Sequence, residues 1–316
     1  MEKEDFKKKR IDFLNNWPNS DKFEIEKEYS RIVEQVKGEH GPIFHPYKLP
    51  SFEDVYYNIM ISFVIEALEQ LETHPNLSFE LIFQSYDCFI DNYYSELSNI
   101  TDKTKALCDN EWKSILNSNK NVELRDAFNK LLSNIPVKAC QYLYTRIYNK
   151  NKDKYPYARV TSDISGGQTY NSKNRKCIID AINNKYGFDY NDYSATVRKA
   201  SLLYRYIFKH DSVTIDKEYC ININDKLHII VSGYLYTLRN DMMHGSNIAI
   251  MKSSKTTLST LAVDYFAFLI LYYLIIMLVI YKYSCNDNNL KFNELALNIQ
   301  VNLDLYIKMF GKSIDC

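Results

Sequence analysis

Three polar residues near the end of one amphipathic segment could transfer protons and bind a phosphate. They are Arg239, Asn240 and His244, in the run RNDMMH. An imidazole has an ordinary pKa of about 6.5, so it can exchange protons near neutral pH. A guanidinium matches the geometry of phosphate oxygens, and an amide can orient the ring or hold a further oxygen. Together these side chains are suited to proton transfer beside a phosphate group.

The segment that carries these residues has the spacing of an amphipathic helix. It runs from Asp225 to His244, and Gly245 follows at a position where helices commonly end. An apolar stripe is expected to face a core and consists of Leu227, Val231, Tyr234, Leu238 and Met242. His244 then lies in the last turn, where the backbone carbonyl dipoles favour a cation.

Arg239 and His244 do not strictly share a face of this helix. Five residues correspond to about 140° around an ideal helix, whereas Asn240 and His244 are four residues apart and share a face. A long guanidinium side chain, or fraying at Gly245, can close this gap. A second copy of the helix would close it better, so the spacing favours a site completed in a dimer.

The run from Arg239 to His244 resembles the Arg-polar-x-x-x-His signature of HEPN domains, in which a buried apolar helix follows the motif. Here that helix is expected at Leu261 to Tyr281, and the resemblance covers roughly residues 177–310. It implies a metal-independent endoribonuclease without a cofactor, with Arg239, Asn240 and His244 as catalytic residues. In such an enzyme the ribose 2′-OH attacks the adjacent phosphorus and leaves a 2′,3′-cyclic phosphate and a 5′-OH.

The resemblance also implies partners. Two motif helices would pair across a homodimer, with His228, Ser232 and Tyr236 lining or flanking the interface. Microbial HEPN proteins frequently serve defence, so a toxin or anti-phage effector with an antitoxin or an activating partner is implied. The alternative hypothesis is a non-catalytic helical module that binds RNA or protein and keeps the motif for structure or for binding.

Composition predicts an all-α fold, a helical bundle. Only 8 Gly and 7 Pro in 316 residues leave few turn signals, which favours long helices over many short strands. We predict an N-terminal helical domain of unknown role at 1–150, a basic linker or loop at 151–176, and a C-terminal HEPN-like catalytic domain at 177–316. A short strand or an extended connector is expected at 212–223.

RNA contacts must come from a local patch, because Lys+Arg and Asp+Glu balance at 39 each. The basic linker interleaves cations with tyrosines, a combination that suits phosphates and bases of single-stranded RNA. The predicted RNA-binding residues are Arg159, Arg175 and Lys176 in this region, and Lys252 and Lys255 in the loop after the motif. Solvated loop cations are the alternative interpretation for both groups.

Seven scattered Cys without a CxxC pair predict buried thiols in a reducing compartment and no zinc site. His40 and His45 lie in a loop without a cluster of further ligands, so we expect no metal site there. The charged start MEKEDFKKKR has no apolar stretch behind it, which predicts no signal peptide and a cytoplasmic location.

One apolar run could cross a membrane by its composition. Tyr265 to Tyr281 is 17 residues long without a charge, at the short end of the about 20 residues that a bilayer span needs. A helix that is apolar all round is either such a span or the central helix of a bundle. We predict a buried core helix in a protein that makes no membrane contact, with a membrane anchor as the alternative.

Overall fold

A computed structural model of the protein describes residues 6–148, 156–163, 172–187, 193–243, 248–284 and 291–316. These residues are mainly helical, so the prediction of an all-α bundle is confirmed. Within them, extended structure is limited to one antiparallel hairpin, formed by β1 Ser212–Thr214 and β2 Glu218–Cys220, with Val213 opposite Tyr219. The hairpin lies in the segment for which a short strand or a connector was predicted.

The helices are named here in chain order. Those before residue 149 are α1 Phe6–Asn15, α2 Glu24–His40, α3 Val55–Leu71, α4 Pro75–Tyr93, α5 Ile100–Asp109, α6 Glu111–Asn117, α7 Val122–Ser133 and α8 Val137–Ile147. Those after it are α9 Pro156–Thr161, α10 Ser172–Tyr186, α11 Tyr193–Lys209, α12 Ile223–His228, α13 Tyr236–Met243, α14 Leu258–Tyr283 and α15 Phe292–Phe310. Side-chain caps fix several starts, as where Asp54 accepts a hydrogen bond from the Tyr57 amide at 3.0 Å.

The apolar helix α14 forms the centre of the bundle. Every residue from 261 to 280 is buried, and α4, α6, α8 and α15 pack around it. Polar atoms of its neighbours reach its backbone, since Trp112 Nε1 donates to the Leu274 carbonyl oxygen at 3.0 Å. The helix is long and apolar enough to cross a membrane, but its apolar window is wholly buried inside the protein. It therefore has the position predicted for a core helix.

The apolar core is continuous across the predicted domain boundaries. It runs from Phe23 in the N-terminal half to Ile314 near the C-terminus. Helices of both halves pack directly, as α8 does with α11 and α7 with α15. Among the described residues the core therefore marks no break near residues 150 or 177, and the three-part division stays a sequence prediction.

The segment that leads to the motif is one continuous helical rod with a π-helical centre. It consists of α12, a π-helix at Ile229–Leu235 and then α13. The predicted core stripe is buried at Leu227, Val231, Tyr234 and Leu238, whereas its last member, Met242, is only half-buried. All residues from 223 to 235 are in fact buried, so the rod reaches the surface only in α13. We call this buried part of the rod, residues 223–235, the stem. The stem anchors the end of the helix that carries the motif.

The π-helix can pack closely against α9 because Gly233, at the point of contact, has no side chain. A Cβ atom at this position would meet Val160 Cγ2 at 2.9 Å and Leu143 Cδ1 at 3.2 Å. These separations are shorter than ordinary carbon contacts, so a larger residue would push α9 or α8 away. Glycine at this position lets α9 and α8 hold the stem of the motif helix.

Candidate functional site

The helix α13 is held on two flanks by side chains of α4 and α8. On one flank, Arg239 Nη2 lies 3.5 Å from Asp87 Oδ2 of α4. On the other flank, Asp241 accepts a hydrogen bond of 2.7 Å from the Tyr142 hydroxyl and pairs with Arg146, both of α8. These contacts join α13 to α4 on one flank and to α8 on the other.

The structure brings Arg239 and Asn240 together at this exposed end. Arg239 Nη1 donates to Asn240 Oδ1 at 3.2 Å, and the guanidinium lies over the Phe83 ring at 5.6 Å from its centroid. The Arg239 side chain is 31% exposed, so an incoming phosphate can reach it. His244 lies outside the described residues, and its position relative to Arg239 stays a sequence prediction.

Asp87 is a candidate site residue that sequence reasoning missed. Burial raises the pKa of its carboxyl group to about 7, against the opposing charge of Arg239 and with a further increase from Asp91. Its Oδ1 atom is buried and has no hydrogen-bond partner among the residues that the structure describes. A carboxyl group with this pKa exchanges protons near neutral pH. The sequence offers no spacing signal for it, because α4 lies 152 residues from the motif.

The predicted RNA contact of Arg159 is corrected, because its guanidinium is buried against the motif stem. Arg159 Nε donates to the Ser232 carbonyl oxygen at 3.2 Å, and Nη2 donates to Thr237 Oγ1 at 2.5 Å. The guanidinium also lies 4.5 Å from the centroid of the Tyr236 ring. Arg159 therefore binds to both the π-helix and α13 in the interior, and its guanidinium is not available to a phosphate.

The predicted RNA contact of Arg175 is corrected for the same reason. Its side chain is 1% exposed, and Nε donates to the Val160 carbonyl oxygen at 3.0 Å. The nearest ion-pair partner is Asp225, with 3.8 Å between Nη1 and Oδ1. In the basic segment, the cations that the structure describes lie on α9 and α10. The packing of these helices turns both arginines inward.

The three lysines predicted to contact RNA differ in their surroundings. Lys176 and Lys255 are exposed. The ammonium group of Lys252 lies 2.6 Å from Glu26 Oε1 and 4.3 Å from the centroid of the Phe13 ring. Lys252 thus has a carboxylate partner in α2. RNA binding by all three lysines stays a prediction.

His228 and Ser232 were expected at a dimer interface, and the structure buries both. A π-helix forms hydrogen bonds from residue i to residue i+5, so the 3.6-residue pattern does not continue through the stem. His228 Nε2 lies 3.0 Å from Asp109 Oδ1. Burial lowers the pKa of His228 more than its hydrogen bond with Asp109 raises it, so the imidazole is neutral near pH 7. Only Tyr236 of the three expected residues remains half-buried.

No group of three or more His, Cys, Asp or Glu side chains is placed to hold a metal ion among the residues that the structure describes. A large cavity, of about 750 Å³, lies between α1 and α2 and is lined by residues such as Lys8, Asp12, Asn19 and Glu24. It contains none of the predicted catalytic residues. The candidate site is therefore the accessible end of α13 with its flanking side chains.

Comparisons with known proteins do not extend this description. The chain matches no protein-family model, no curated protein and no solved structure. The resemblance to HEPN domains therefore rests on the motif residues and on their helical setting. The contacts of Arg239, Asn240 and Asp87 are the structural observations from which a function can be argued.

Proposed function

We propose that the protein is a HEPN-type endoribonuclease that cleaves RNA without a metal ion or a cofactor. One observation carries the proposal. Arg239 presents a partly exposed guanidinium at the surface end of a helix that is otherwise buried, and Asn240 contacts it directly. A cation held in this way stabilises charge on a phosphate without a large cost of reorganisation.

The proposed reaction assigns one role to each motif residue. The ribose 2′-oxygen forms a bond to phosphorus, and the bond from phosphorus to the 5′-oxygen breaks. Arg239 binds the non-bridging phosphate oxygens, on which charge develops in the transition state. Asn240 holds Arg239 through its Oδ1 atom or contacts the phosphate itself. His244 is the proton-transfer group, because an imidazole ordinarily exchanges protons near neutral pH.

A homodimer is part of the proposal. The flanks of α13 are occupied by the pairs with Asp87 and Arg146, and Met243 is 55% exposed at its end. An accessible helix end of this kind is where a second motif helix would pack. We further propose, by analogy with the family alone, a cytoplasmic toxin or anti-phage effector that is controlled by an antitoxin or an activating partner.

Incubation of the purified full-length protein with total RNA tests the proposal. Cleavage is expected to persist in EDTA, and the products should carry 2′,3′-cyclic phosphate and 5′-OH ends. Arg239→Ala and His244→Ala should each abolish cleavage, whereas Arg125→Ala, on the distant helix α7, should not. Equal cleavage by wild type and Arg239→Ala, or loss of cleavage in EDTA, would contradict the proposal.

A non-catalytic RNA-binding module is the second candidate. It is favoured by the same partly exposed Arg239, since a guanidinium that binds a phosphate does not by itself cleave RNA. Under this alternative, wild type binds RNA, Arg239→Ala weakens the binding, and no new RNA ends appear. Fluorescence anisotropy with labelled RNA, together with gel analysis of the same samples, separates the two functions.

A further inference from the structure

The carboxyl group of Asp87 contacts the candidate site from another part of the chain. Asp87 is on α4, and its Oδ2 atom lies 3.5 Å from Nη2 of Arg239. Its side chain is 25% exposed. Because Oδ1 is covered by protein, Oδ2 is the oxygen that a substrate can meet. A phosphate bound by Arg239 would therefore lie next to a carboxyl oxygen.

Cleavage by 2′-OH attack needs two proton transfers. A base removes the proton of the 2′-OH, and an acid donates a proton to the departing 5′-oxygen. The proposed function assigns only one such group, His244. On the basis of that proposed function, we propose that Asp87 is the general acid of the reaction. Its proton goes to the 5′-oxygen as the bond from phosphorus to this oxygen breaks, while the base takes the 2′ proton.

The charges around Asp87 suit this role. A carboxyl group that is largely buried keeps its proton to a higher pH, because burial disfavours the charged form. Once the proton has left, Arg239 stabilises the carboxylate at 3.5 Å. The charged groups of the surrounding described elements are Arg239 of α13, Asp91 of α4 with Lys103 of α5, and Asp54 before α3 with Lys282 of α14. Of these, Asp91 raises the pKa of Asp87 and Arg239 lowers it.

An oligoribonucleotide that spans a mapped cleavage site of the protein gives the test. It is made in two forms, with oxygen or with sulfur as the bridging atom of the 5′ leaving group. A sulfur leaving group departs without protonation, so it removes the need for an acid. Asp87→Asn should slow cleavage of the oxygen form roughly 100-fold or more. The same variant should cleave the sulfur form at close to the wild-type rate.

Asp91→Asn is the matched control, one turn further along α4. It should cleave both substrates at the wild-type rate at low pH. Asp91 raises the pKa of Asp87, so Asp87 should lose its proton at a lower pH in this variant. The cleavage rate of the oxygen form should therefore begin to fall at a lower pH than in wild type. Thermal unfolding of both variants checks that they are folded.

The outcomes separate this inference from the proposed function. If wild type cleaves RNA but Asp87→Asn cleaves the oxygen form equally fast, Asp87 is not the acid. If Asp87→Asn is slow on both forms, the acid role is also wrong, since sulfur should rescue it. If wild type and Arg239→Ala both leave RNA intact, the nuclease proposal itself fails. Rescue by sulfur in Asp87→Asn, absent from Arg239→Ala, is the result that we expect.

Discussion

The imidazole Nε2 of His228 lies 3.0 Å from Oδ1 of Asp109, and both side chains are buried. Asn224 Nδ2 donates to the same carboxylate oxygen at 2.7 Å. Burial acts to raise the pKa of Asp109, but the hydrogen bonds of His228 and Asn224, with the charge of Arg175, lower it overall. Asp109 is therefore a buried carboxylate of α5 that accepts hydrogen bonds from two side chains of α12.

Removal of this carboxylate is expected to destabilise the protein strongly. Asp109→Ala leaves His228 and Asn224 without their acceptor and leaves Arg175 with less compensating charge. A buried donor that loses its acceptor typically costs about 1–3 kcal/mol, and two such donors are affected here. The free energy of unfolding of Asp109→Ala, measured by urea denaturation, should fall by an amount of this order.

Asp126→Ala is the control for this measurement. Asp126 has a side chain that is 68% exposed on α7 and contacts only its neighbour Arg125 among the ion pairs that the structure describes. Its replacement should change the free energy of unfolding by no more than about 0.5 kcal/mol. Equal urea midpoints for the two variants would show that the buried cluster around Asp109 does not stabilise the fold.

The core helix α14 carries one buried acid, and its titration predicts how stability depends on pH. Burial raises the pKa of Asp264 from 3.8 to about 8, with Glu80 raising it further and Lys138 lowering it. In the unfolded chain the carboxyl titrates near its ordinary value. The folded state thus binds the proton more tightly, and its stabilising contribution is full below pH about 4. This contribution is lost as the pH rises towards 8.

Asp264→Asn should remove this dependence, because the amide stays neutral. At pH about 8, we expect the free energy of unfolding of the variant to exceed that of wild type by about 1 kcal/mol or more. One pKa unit corresponds to about 1.4 kcal/mol. Near pH 4 the two should be similar. Thermal unfolding at both pH values checks this, with the exposed Asp304→Asn on α15 as the control. If the stability of wild type relative to Asp264→Asn were higher at pH 8 than at pH 4, the predicted direction of the pH dependence would be wrong.

Much of the fold could be predicted from apolar spacing. The uncharged run at 265–281 predicted the buried core helix, and Leu227, Val231, Tyr234 and Leu238 of the predicted stripe are buried. Both patterns depend on neighbours along the chain, which a sequence displays directly. The π-helical centre of the stem could not be predicted in this way. It accompanies close packing of Gly233 on Val160, a contact between distant parts of the chain.

The candidate site shows the same limit. Arg239 and Asn240 are adjacent in the chain, so their contact followed from the motif. Asp87 is 152 residues away, and only the packing of α4 on α13 brings it near. Arg159 and Arg175 were interpreted as surface cations because their segment is basic and lacks apolar periodicity. Composition does not reveal that these guanidinium groups bind backbone carbonyl oxygens in the interior.

Arg146 is an exposed cation that contacts the motif helix α13, and sequence reasoning missed it. Its side chain is 43% exposed, and its only ion pair among the described residues is with Asp241 on α13. We expect Arg146→Gln to weaken RNA binding and to make the affinity for RNA less dependent on the salt concentration. Loss of one phosphate contact lowers the slope of log affinity against log salt by about 0.7 for single-stranded RNA. Fluorescence anisotropy titrations at several salt concentrations measure this slope.

Arg175→Gln is the comparison for Arg146→Gln. Because Arg175 is buried, its replacement should lower the melting temperature and leave the salt slope of the remaining folded protein unchanged. The reverse result, a changed slope for Arg175→Gln and none for Arg146→Gln, would mean that RNA binds on a different surface.

The stem of the motif helix gives the last prediction. Gly233→Ala adds a methyl group that would approach Val160 Cγ2 to 2.9 Å and Leu143 Cδ1 to 3.2 Å. Overpacking of this kind costs about 1–3 kcal/mol, so the free energy of unfolding should fall by this amount. Because the stem positions α13, RNA cleavage by the folded variant should fall as well.

Gly38→Ala separates the effect of packing from the general effect of replacing glycine. Gly38 lies inside α2, and a Cβ atom there meets no atom of the described part of the chain within 4 Å. Alanine is favoured over glycine inside a helix, so this variant should be more stable than wild type by about 0.5–1 kcal/mol. The two glycine variants should therefore change the urea midpoint in opposite directions. If both raise it, α9 is free to move away from the stem, and the tight contact at Gly233 does not hold α13 in place.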